Sequence, residues 1–287
     1  MKDFCVMDDL LTIKELRELS DEDLAKGIGV GRATISRWKS GQEDISEKHT
    51  KAIYEFAFRQ GIRLNRIKEQ LFREDHENES NIVLFHGAKT EIQGKLSLDY
   101  SKDVNDFGKG FYCGESLEQS AMFVAGYPKS SLYICKFSVD TELRSIRFNV
   151  DRDWMLAVAY YRKRITAFQN DPTIQKLLDK ISRADYFIAP IADNRMFQII
   201  DEFIDGEITD IQCQHALSAT NLGMQYVFVS QKALDKVEIL RHCYLTDSEK
   251  QYYLTSKQEE NRIGSDKVKM AKREYRGQGL YIDQILK

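Results

Sequence analysis

Apolar positions recur with a helical period at the start of the chain, and a different pattern begins after a polar segment. Residues 8–72 read as helix after helix, with no strand-like alternation. The segment REDHENES (73–80) has no apolar residue and is predicted to be a domain linker. We therefore predict an all-α domain over residues 1–72 and a second domain over residues 81–245.

The second domain mixes strand and helix patterns without a regular strand–helix alternation, which favours an α+β fold. Short runs of apolar residues, or of alternating apolar and polar residues, predict strands at 81–87, 130–140, 236–245 and the start of 224–234. Helical spacing predicts helices at 153–168, 172–184 and 194–208, the last ended by a glycine. The polar residues 246–287 are predicted to form a terminal helix and a loose tail.

Composition narrows the class of protein. A hydrophobic content of 42% in 287 residues is enough for a sizeable core, and a net charge of −3 gives no global electrostatic attraction to nucleic acid. The five cysteines are scattered without the spacing of a zinc site, so no metal is predicted. The chain shows neither a signal peptide nor an apolar run of the roughly 20 residues that span a membrane. We expect a cytoplasmic, bacterial protein without a membrane partner.

The stretch LSDEDLAKGIGVGRATISRWKSGQ (19–42) carries the pattern of two short helices that cross at a steep angle. Ala25 is small enough for the crossing, Gly29 can adopt the positive φ of the turn, and Ile35 and Trp38 share a buried face. The stretch resembles the helix-turn-helix of phage-repressor-like regulators. A helical module that binds another protein is the alternative interpretation.

The resemblance implies that the second helix enters the DNA major groove by its N-terminal end. Carried onto this sequence, it implies that bases are contacted by Arg32, Ala33, Thr34 and Arg37, and phosphates by Ser36 and Lys39. Gly31 stands where that family usually has a serine or threonine cap, so the cap of this helix is expected to be weak.

Three further motifs occur in order along the second domain. VLFHGAK (83–89) ends a strand in His-Gly, DFGKGFYCGESLEQSAMFV (106–124) runs from two glycines through Tyr112 into a helix, and GMQYVFVS (223–230) opens a late strand with Gln225. Together they resemble the ADP-ribosyltransferase fold of the diphtheria-toxin and poly(ADP-ribose) polymerase branch. Within it, they resemble an uncharacterised bacterial family that is often the toxin half of toxin–antitoxin pairs.

The resemblance implies a split antiparallel β-sandwich with helices, made of two packed sheets, and a site for NAD. The backbone of Gly87 would pair with the nicotinamide amide, the ring would stack on Tyr112, and His86 would bind the adenosine ribose. Ser120 would donate to the nicotinamide amide and Phe123 would be a second stacking ring. Gly108 and Gly110 would let the backbone turn under the ligand. Taken singly, a histidine at a strand end and a tyrosine are more often surface or core residues.

Gln225 departs from the pattern, because the polymerase class has a glutamate there. Glutamine keeps a hydrogen-bond acceptor but loses the negative charge that stabilises the developing positive ribose. A carboxylate at 225 is therefore expected to preserve or raise NAD hydrolysis. Asp193 could supply the missing charge and Arg195 could bind the pyrophosphate. The alternative for this pair is a helix N-cap with a surface arginine.

The interpretation that follows is an NAD-dependent mono-ADP-ribosyltransferase in which Gln225, His86 and Tyr112 serve catalysis. It would be a toxin-type effector of a toxin–antitoxin or phage-defence operon, with DNA bound through residues 1–72. A small antitoxin protein and a second copy of the chain are further partners that this interpretation leaves open. The acceptor of ADP-ribose is open among protein, DNA and RNA. The second hypothesis is a transcription regulator whose C-terminal domain senses NAD or an ADP-ribosyl ligand without catalysis, which Gln225 favours.

Overall fold

Helices dominate the N-terminal part of the chain in the computed structural model, which describes residues 4–287. In order they are α1 (Val6–Leu16), α2 (Asp21–Ile28), α3 (Arg32–Lys39), α4 (Glu47–Arg59) and α5 (Leu64–His76). The hydroxyl of Ser20 accepts from the Asp23 backbone N–H and caps α2, and Gly29 ends α2 with φ at 85°. The predicted turn between α2 and α3 is therefore confirmed, and Ile35 and Trp38 are buried as expected.

The boundary between the two parts of the chain lies later than the polar segment indicates. Residues 73–76, predicted to be linker, continue α5, and the connection to the first strand is residues 77–80. The polar composition misleads here because Glu74 and Asp75, in the last turn of α5, are exposed while other residues of the helix pack against the sheet. Arg73 shows the attachment, since its guanidinium donates to the backbone oxygen of Glu115 at 2.6 Å.

A seven-stranded mixed sheet forms the centre of the second part, within the described residues 4–287. Its strands are β1 (Asn81–Ala88), β2 (Phe111–Gly114), β3 (Ser131–Ser138), β4 (Ser145–Arg147), β5 (Tyr186–Pro190), β6 (Met224–Phe228) and β7 (Val237–Cys243). The strand order is β4-β5-β6-β2-β1-β3-β7, with β4 and β5 parallel and the other neighbours antiparallel. The expectation of two separate sheets is thus not met, because β1 and β2 join the halves through the pair Phe85–Gly114.

The two halves nevertheless face one another. The Phe137 ring on β3 lies 5.1 Å from the Tyr186 ring on β5 and 4.8 Å from the Phe228 ring on β6. In a flat sheet β3 and β5 would be roughly 19 Å apart, at about 4.8 Å per strand. The sheet therefore bends sharply where β1 meets β2, and aromatic residues fill the space between its halves.

Helices cover both outer faces of the bent sheet. They are α6 (Leu117–Val124), α7 (Arg152–Tyr161), α8 (Pro172–Ile181), α9 (Asn194–Ile204), α10 (Asp210–Ser218), α11 (Gln231–Leu234), α12 (Asp247–Glu274) and α13 (Ile282–Ile285). The short α11 is the exception, because it packs into the cluster between the halves of the sheet. The cluster around Trp154 and Phe203 joins α7–α10 to β5 and β6, whereas α6 packs on β1 and β3.

The C-terminal segment is fixed rather than loose. The predicted terminal helix is present as α12, which contacts α4, α6 and α10. Beyond it, the Leu280 backbone N–H donates to Asp210 Oδ1 at 2.7 Å, and the Lys287 N–H donates to Asp171 Oδ2 at 2.8 Å. The prediction of a loose tail is wrong because backbone N–H groups of the tail donate to Asp210 and Asp171 of the domain.

Candidate functional site

The junction between β1 and β2 places His86 where the two strands separate. Its Nδ1 lies 2.7 Å from the backbone oxygen of Tyr112, and its ring stacks on Phe111 with centroids 4.2 Å apart. Burial lowers the pKa of His86 to about 4, so the ring is neutral at pH 7. A carbonyl oxygen can only accept, so Nδ1 carries the proton and Nε2 is left as an acceptor. A neutral acceptor of this kind suits a hydroxyl group.

Gly87 and Ser120 lie together where α6 crosses β1. A Cβ at Gly87 would lie 2.6 Å from the Ser120 backbone oxygen and 2.8 Å from Val124 Cγ1, so any side chain at this position would push α6 away. The Ser120 hydroxyl, itself buried, donates to the Phe85 backbone oxygen at 3.1 Å. The sequence interpretation linked Gly87 only to a ligand, and helix packing supplies a second reason for the glycine.

Tyr112 closes the loop that contains the glycines. Its hydroxyl accepts from the Phe107 N–H at 3.2 Å and donates to the Gly108 oxygen at 2.7 Å. Gly108 has φ at 69°, and a Cβ at Gly110 would lie 3.0 Å from the Phe228 oxygen. The loop thus turns tightly and passes close to β6, and burial raises the pKa of Tyr112 well above its usual value. The hydroxyl end of the Tyr112 side chain is therefore held in place by the loop.

Phe123 lies almost one helical turn beyond Ser120 on α6, and its side chain is 58% exposed. No aromatic partner contacts it within the described part of the chain. The structure therefore does not pack Phe123 against the Tyr112 ring, and its role as a second stacking residue stays a prediction.

Gln225 is the second residue of β6. It pairs with Gly114 of β2 on one side and with Ala189 of β5 on the other. Its side chain is buried, and Nε2 donates to Asp106 Oδ2 at 2.9 Å and to the Pro190 oxygen at 3.2 Å. Both partners are acceptors, which fixes the orientation of the amide, because only the NH2 group can face them. The oxygen Oε1 is consequently directed away from these two groups.

Asp106 and Arg162 complete a buried polar network that the sequence interpretation missed. Asp106 Oδ1 accepts from Arg162 Nε and Nη2 at 3.0 and 2.6 Å, and Oδ2 accepts from the Ala192 N–H at 2.9 Å. The Arg162 guanidinium also donates to the Ala192 oxygen and lies 4.3 Å from the centre of the Phe197 ring. Asp106 stands directly before FGKG and could have been noticed, whereas Arg162 lies on an ordinary helix with no motif around it.

Asp193 and Arg195 both contact groups other than Gln225, and the binding of a pyrophosphate by Arg195 stays a prediction. Asp193 Oδ1 accepts from the backbone N–H groups of Arg195 and Met196 at 3.0 and 2.9 Å, which makes it the N-cap of α9. Arg195 Nη1 donates to Asn261 Oδ1 at 3.2 Å, and its guanidinium packs on Gly264 of α12. The carboxylate that touches Gln225 is that of Asp106, so the assignment of the missing charge to Asp193 is corrected.

A cleft of about 330 Å³ opens beside Met224, the residue before Gln225, and Gln225 itself is not part of its wall. Its walls are the turn between β2 and α6, the loop before β6 and the middle of α12, and they include Glu115, Glu118, Gln119, Gly223, Met224 and Glu260. Arg66 of α5 forms an ion pair with Glu118, so the helical N-terminal part of the chain contacts a wall of this cleft.

The exposed face of α3 carries the residues predicted to bind DNA. Arg32, Ser36, Arg37 and Lys39 are exposed and Thr34 is half-buried. Gly31 makes no side-chain cap, as expected. Two of the cations have carboxylate partners, because Arg37 Nε lies 3.0 Å from Glu43 and Lys39 Nζ lies 3.0 Å from Asp21.

Comparison with known protein families gives two matches. Residues 82–239 match the family described as "Protein of unknown function (DUF3990)", and residues 13–53 match the helix-turn-helix family. The second match identifies the N-terminal helices as a DNA-binding domain. No curated protein and no solved structure matches the chain.

Residues 4–287 contain neither a membrane-spanning helix nor a cluster of metal ligands. None of the described helices is long and apolar enough to cross a membrane. No group of three or more histidine, cysteine or acidic side chains in the described residues could hold a metal ion.

Proposed function

Since the chain belongs to the DUF3990 family of proteins of unknown function and carries a DNA-binding helix-turn-helix, we propose a function from the geometry of the β1–β2 junction. The proposal is that the C-terminal domain is an NAD-dependent mono-ADP-ribosyltransferase. The helix-turn-helix either controls the promoter of its own operon or brings the enzyme to nucleic acid. In this scheme the protein is a toxin-type effector.

One observation carries the proposal: residues from three separate motifs converge on one junction of the sheet. Gly114 of β2 pairs with Phe85 of β1 and with Gln225 of β6, so the His-Gly motif, the FGKGFY motif and the late strand meet there. A Cβ at Gly114 would lie 2.8 Å from Ser120 Oγ, which adds α6 to the same place. The three motifs therefore lie side by side on neighbouring strands, which is the arrangement that a shared site requires.

The chemistry assigned to these groups follows the resemblance. NAD would bind with its nicotinamide against the Gly87 backbone and the Tyr112 ring, while His86 Nε2 accepts from a ribose hydroxyl. The bond between ribose C1′ and nicotinamide then breaks, and nicotinamide leaves with the electron pair. The Oε1 of Gln225 stabilises the positive ribose, and an acceptor nucleophile bonds to C1′ and loses its proton.

The test is nicotinamide release and NAD binding by the full-length protein. We expect Tyr112→Ala and His86→Ala each to weaken NAD binding by ~1–2 kcal/mol in calorimetry. Tyr112→Phe separates the two roles of this residue, because it keeps the ring for stacking and removes both hydroxyl hydrogen bonds to the loop. Tyr100→Ala is the surface control, since Tyr100 is 84% exposed. Wild-type protein that binds neither NAD nor nicotinamide would exclude the proposed function.

The second candidate function is a transcription regulator that binds NAD or an ADP-ribosyl ligand without chemistry. The neutral amide of Gln225 favours it, because no charge at that position stabilises the ribose directly. Incubation with labelled NAD and cell lysate distinguishes the two functions. An enzyme releases nicotinamide and labels an acceptor that protease or nuclease digestion then identifies, whereas a sensor releases none and changes only its affinity for promoter DNA.

A further inference from the structure

The buried carboxylate of Asp106 has no part in the function described so far, and its surroundings are unusual for a loop residue. It accepts four hydrogen bonds from described residues, two of them from Arg162 and one each from Ala192 and Gln225. A buried carboxylate is stable only when it is paired and hydrogen-bonded in this way. Two of its donors lie close to the candidate site, because Ala192 is in the loop that follows β5 and Gln225 is the second residue of β6.

We propose that Asp106 is the positioning residue of the site, and that the pair Asp106–Gln225 performs the task of a single glutamate at position 225. This inference rests on the proposed transferase function. Asp106 holds the Gln225 amide so that Oε1, and not the NH2 group, is offered to the ribose. Asp106 also supplies the negative charge that glutamine lacks, and this charge lies behind Gln225 as seen from the ligand.

The Asp106 carboxylate first fixes the orientation of the Gln225 amide. An amide in a neutral cavity can rotate by half a turn and present either its oxygen or its nitrogen. At Gln225 the Asp106 carboxylate and the Pro190 carbonyl both require a donor, at 2.9 and 3.2 Å. The opposite orientation would put an oxygen against two oxygens, so the amide is held in one state.

The Asp106 carboxylate also polarises the Gln225 amide. An N–H group that donates to a carboxylate shifts electron density toward the oxygen of its own amide, and this effect is stronger in a buried site than in water. Oε1 of Gln225 is therefore a better acceptor and a more negative group than the oxygen of a free amide. Arg162 forms an ion pair with the other carboxylate oxygen, Oδ1, at 2.6 Å, so the two oxygens of Asp106 have separate partners.

The contact with Asp106 changes what we expect of a glutamate at position 225, which from the sequence alone should preserve or raise NAD hydrolysis. In this protein Gln225→Glu would put two carboxylates about 2.9 Å apart, where Nε2 now meets Asp106 Oδ2. Like charges so close cannot both ionise, so one carboxyl would have to take up a proton. Gln225→Glu is thus expected to lower activity, and Asp106→Asn in the same protein should offset that loss by restoring a donor beside the new carboxylate.

The experiment compares wild type, Asp106→Asn, Gln225→Glu and the double variant. We expect Asp106→Asn to lower kcat for nicotinamide release at least tenfold while KM for NAD changes little, because the interaction is made mainly in the transition state. We expect the double variant to be at least tenfold more active than Gln225→Glu alone. Thermal unfolding gives a second readout: Gln225→Glu should lose stability as pH rises from about 5 to 8, and the double variant should not.

The possible results separate the inference from the proposed function. Wild-type activity that Asp106→Asn leaves unchanged overturns the inference while the transferase function stands. Loss of activity in Asp106→Asn with no recovery in the double variant shows that Asp106 serves folding only, and also overturns it. Absence of nicotinamide release from wild type with lysate removes the proposed function, and the inference with it.

Discussion

Glu249 lies where the helix-turn-helix domain contacts the sheet domain, near the start of α12, and it titrates near neutral pH. Its side chain is 6% exposed and accepts from Asn65 Nδ2 of α5 at 3.1 and 3.2 Å. Burial raises the pKa of Glu249 to about 7, although the Asn65 hydrogen bond opposes the rise. Asn65 Oδ1 is buried without a hydrogen-bond partner among the residues described, and Nδ2 of the same amide also donates to the Tyr244 backbone oxygen at 2.9 Å.

The sign of the effect follows from proton binding. The pKa of Glu249 is 4.5 in the unfolded chain and about 7 in the folded protein, so between these pH values the folded state binds more protons. The stability that the protonated form contributes is fully present below about pH 4.5 and is lost as pH rises through about 7. At ~1.4 kcal/mol per pKa unit, ionised Glu249 lowers the free energy of unfolding by about 3 kcal/mol above neutral pH.

Glu249→Gln keeps the shape of the side chain and removes its titration. We expect the variant to exceed wild type in free energy of unfolding by up to about 3 kcal/mol near pH 8 and by little near pH 5, measured by urea denaturation. Glu259→Gln is the control on the same helix, because Glu259 pairs with Arg262 at 2.7 Å and its pKa is lowered. A Glu249→Gln difference that is equal at both pH values would refute the reasoning.

Two further predictions concern packing and DNA. Gly87→Ala should reduce the free energy of unfolding by ~1–3 kcal/mol, because its Cβ would clash with α6. Gly126→Ala is the control and should not reduce it, because a Cβ there would meet only Leu254 at 3.9 Å. Equal stability of the two variants in denaturant titration would exclude the clash. In gel shifts with the protein's own upstream DNA, Arg37→Ala should weaken binding by ~1–3 kcal/mol. Glu43→Gln should strengthen it by releasing Arg37, and unchanged binding in both variants would remove Arg37 from the interface.

The local parts of the fold could be predicted from the sequence because their causes are local. The positive φ of Gly29 and the buried Ile35 and Trp38 follow from turn chemistry and helical spacing, and the structure confirms them. β5, by contrast, was not predicted. All of its residues are buried, so its run YFIAP shows no alternation between apolar and polar positions. A short apolar run between two helices carries no local sign that distinguishes a central strand from a buried turn.

For the candidate site, too, some features could be predicted from the sequence and others could not. The residues of the quoted motifs were identified from the sequence, and the structure brings His86, Gly87, Tyr112, Ser120 and Gln225 to one junction. The roles that depend on distant partners were not predictable. Spacing could suggest that Asp193 is either an N-cap or a source of charge, and only the contacts of α9 distinguish these roles.

The identity of residue 225 therefore cannot be interpreted alone. Judged as a single position, glutamine in place of glutamate means a lost charge and favours a sensor. In the folded protein its Nε2 donates to a carboxylate that lies 119 positions earlier in the chain. Electrostatics permits one ionised carboxylate in a buried pair at this distance, and it can belong to either residue provided that the other is a neutral donor. Asp106 with Gln225 is one of these two arrangements, so the glutamine is compatible with catalysis as long as Asp106 is present.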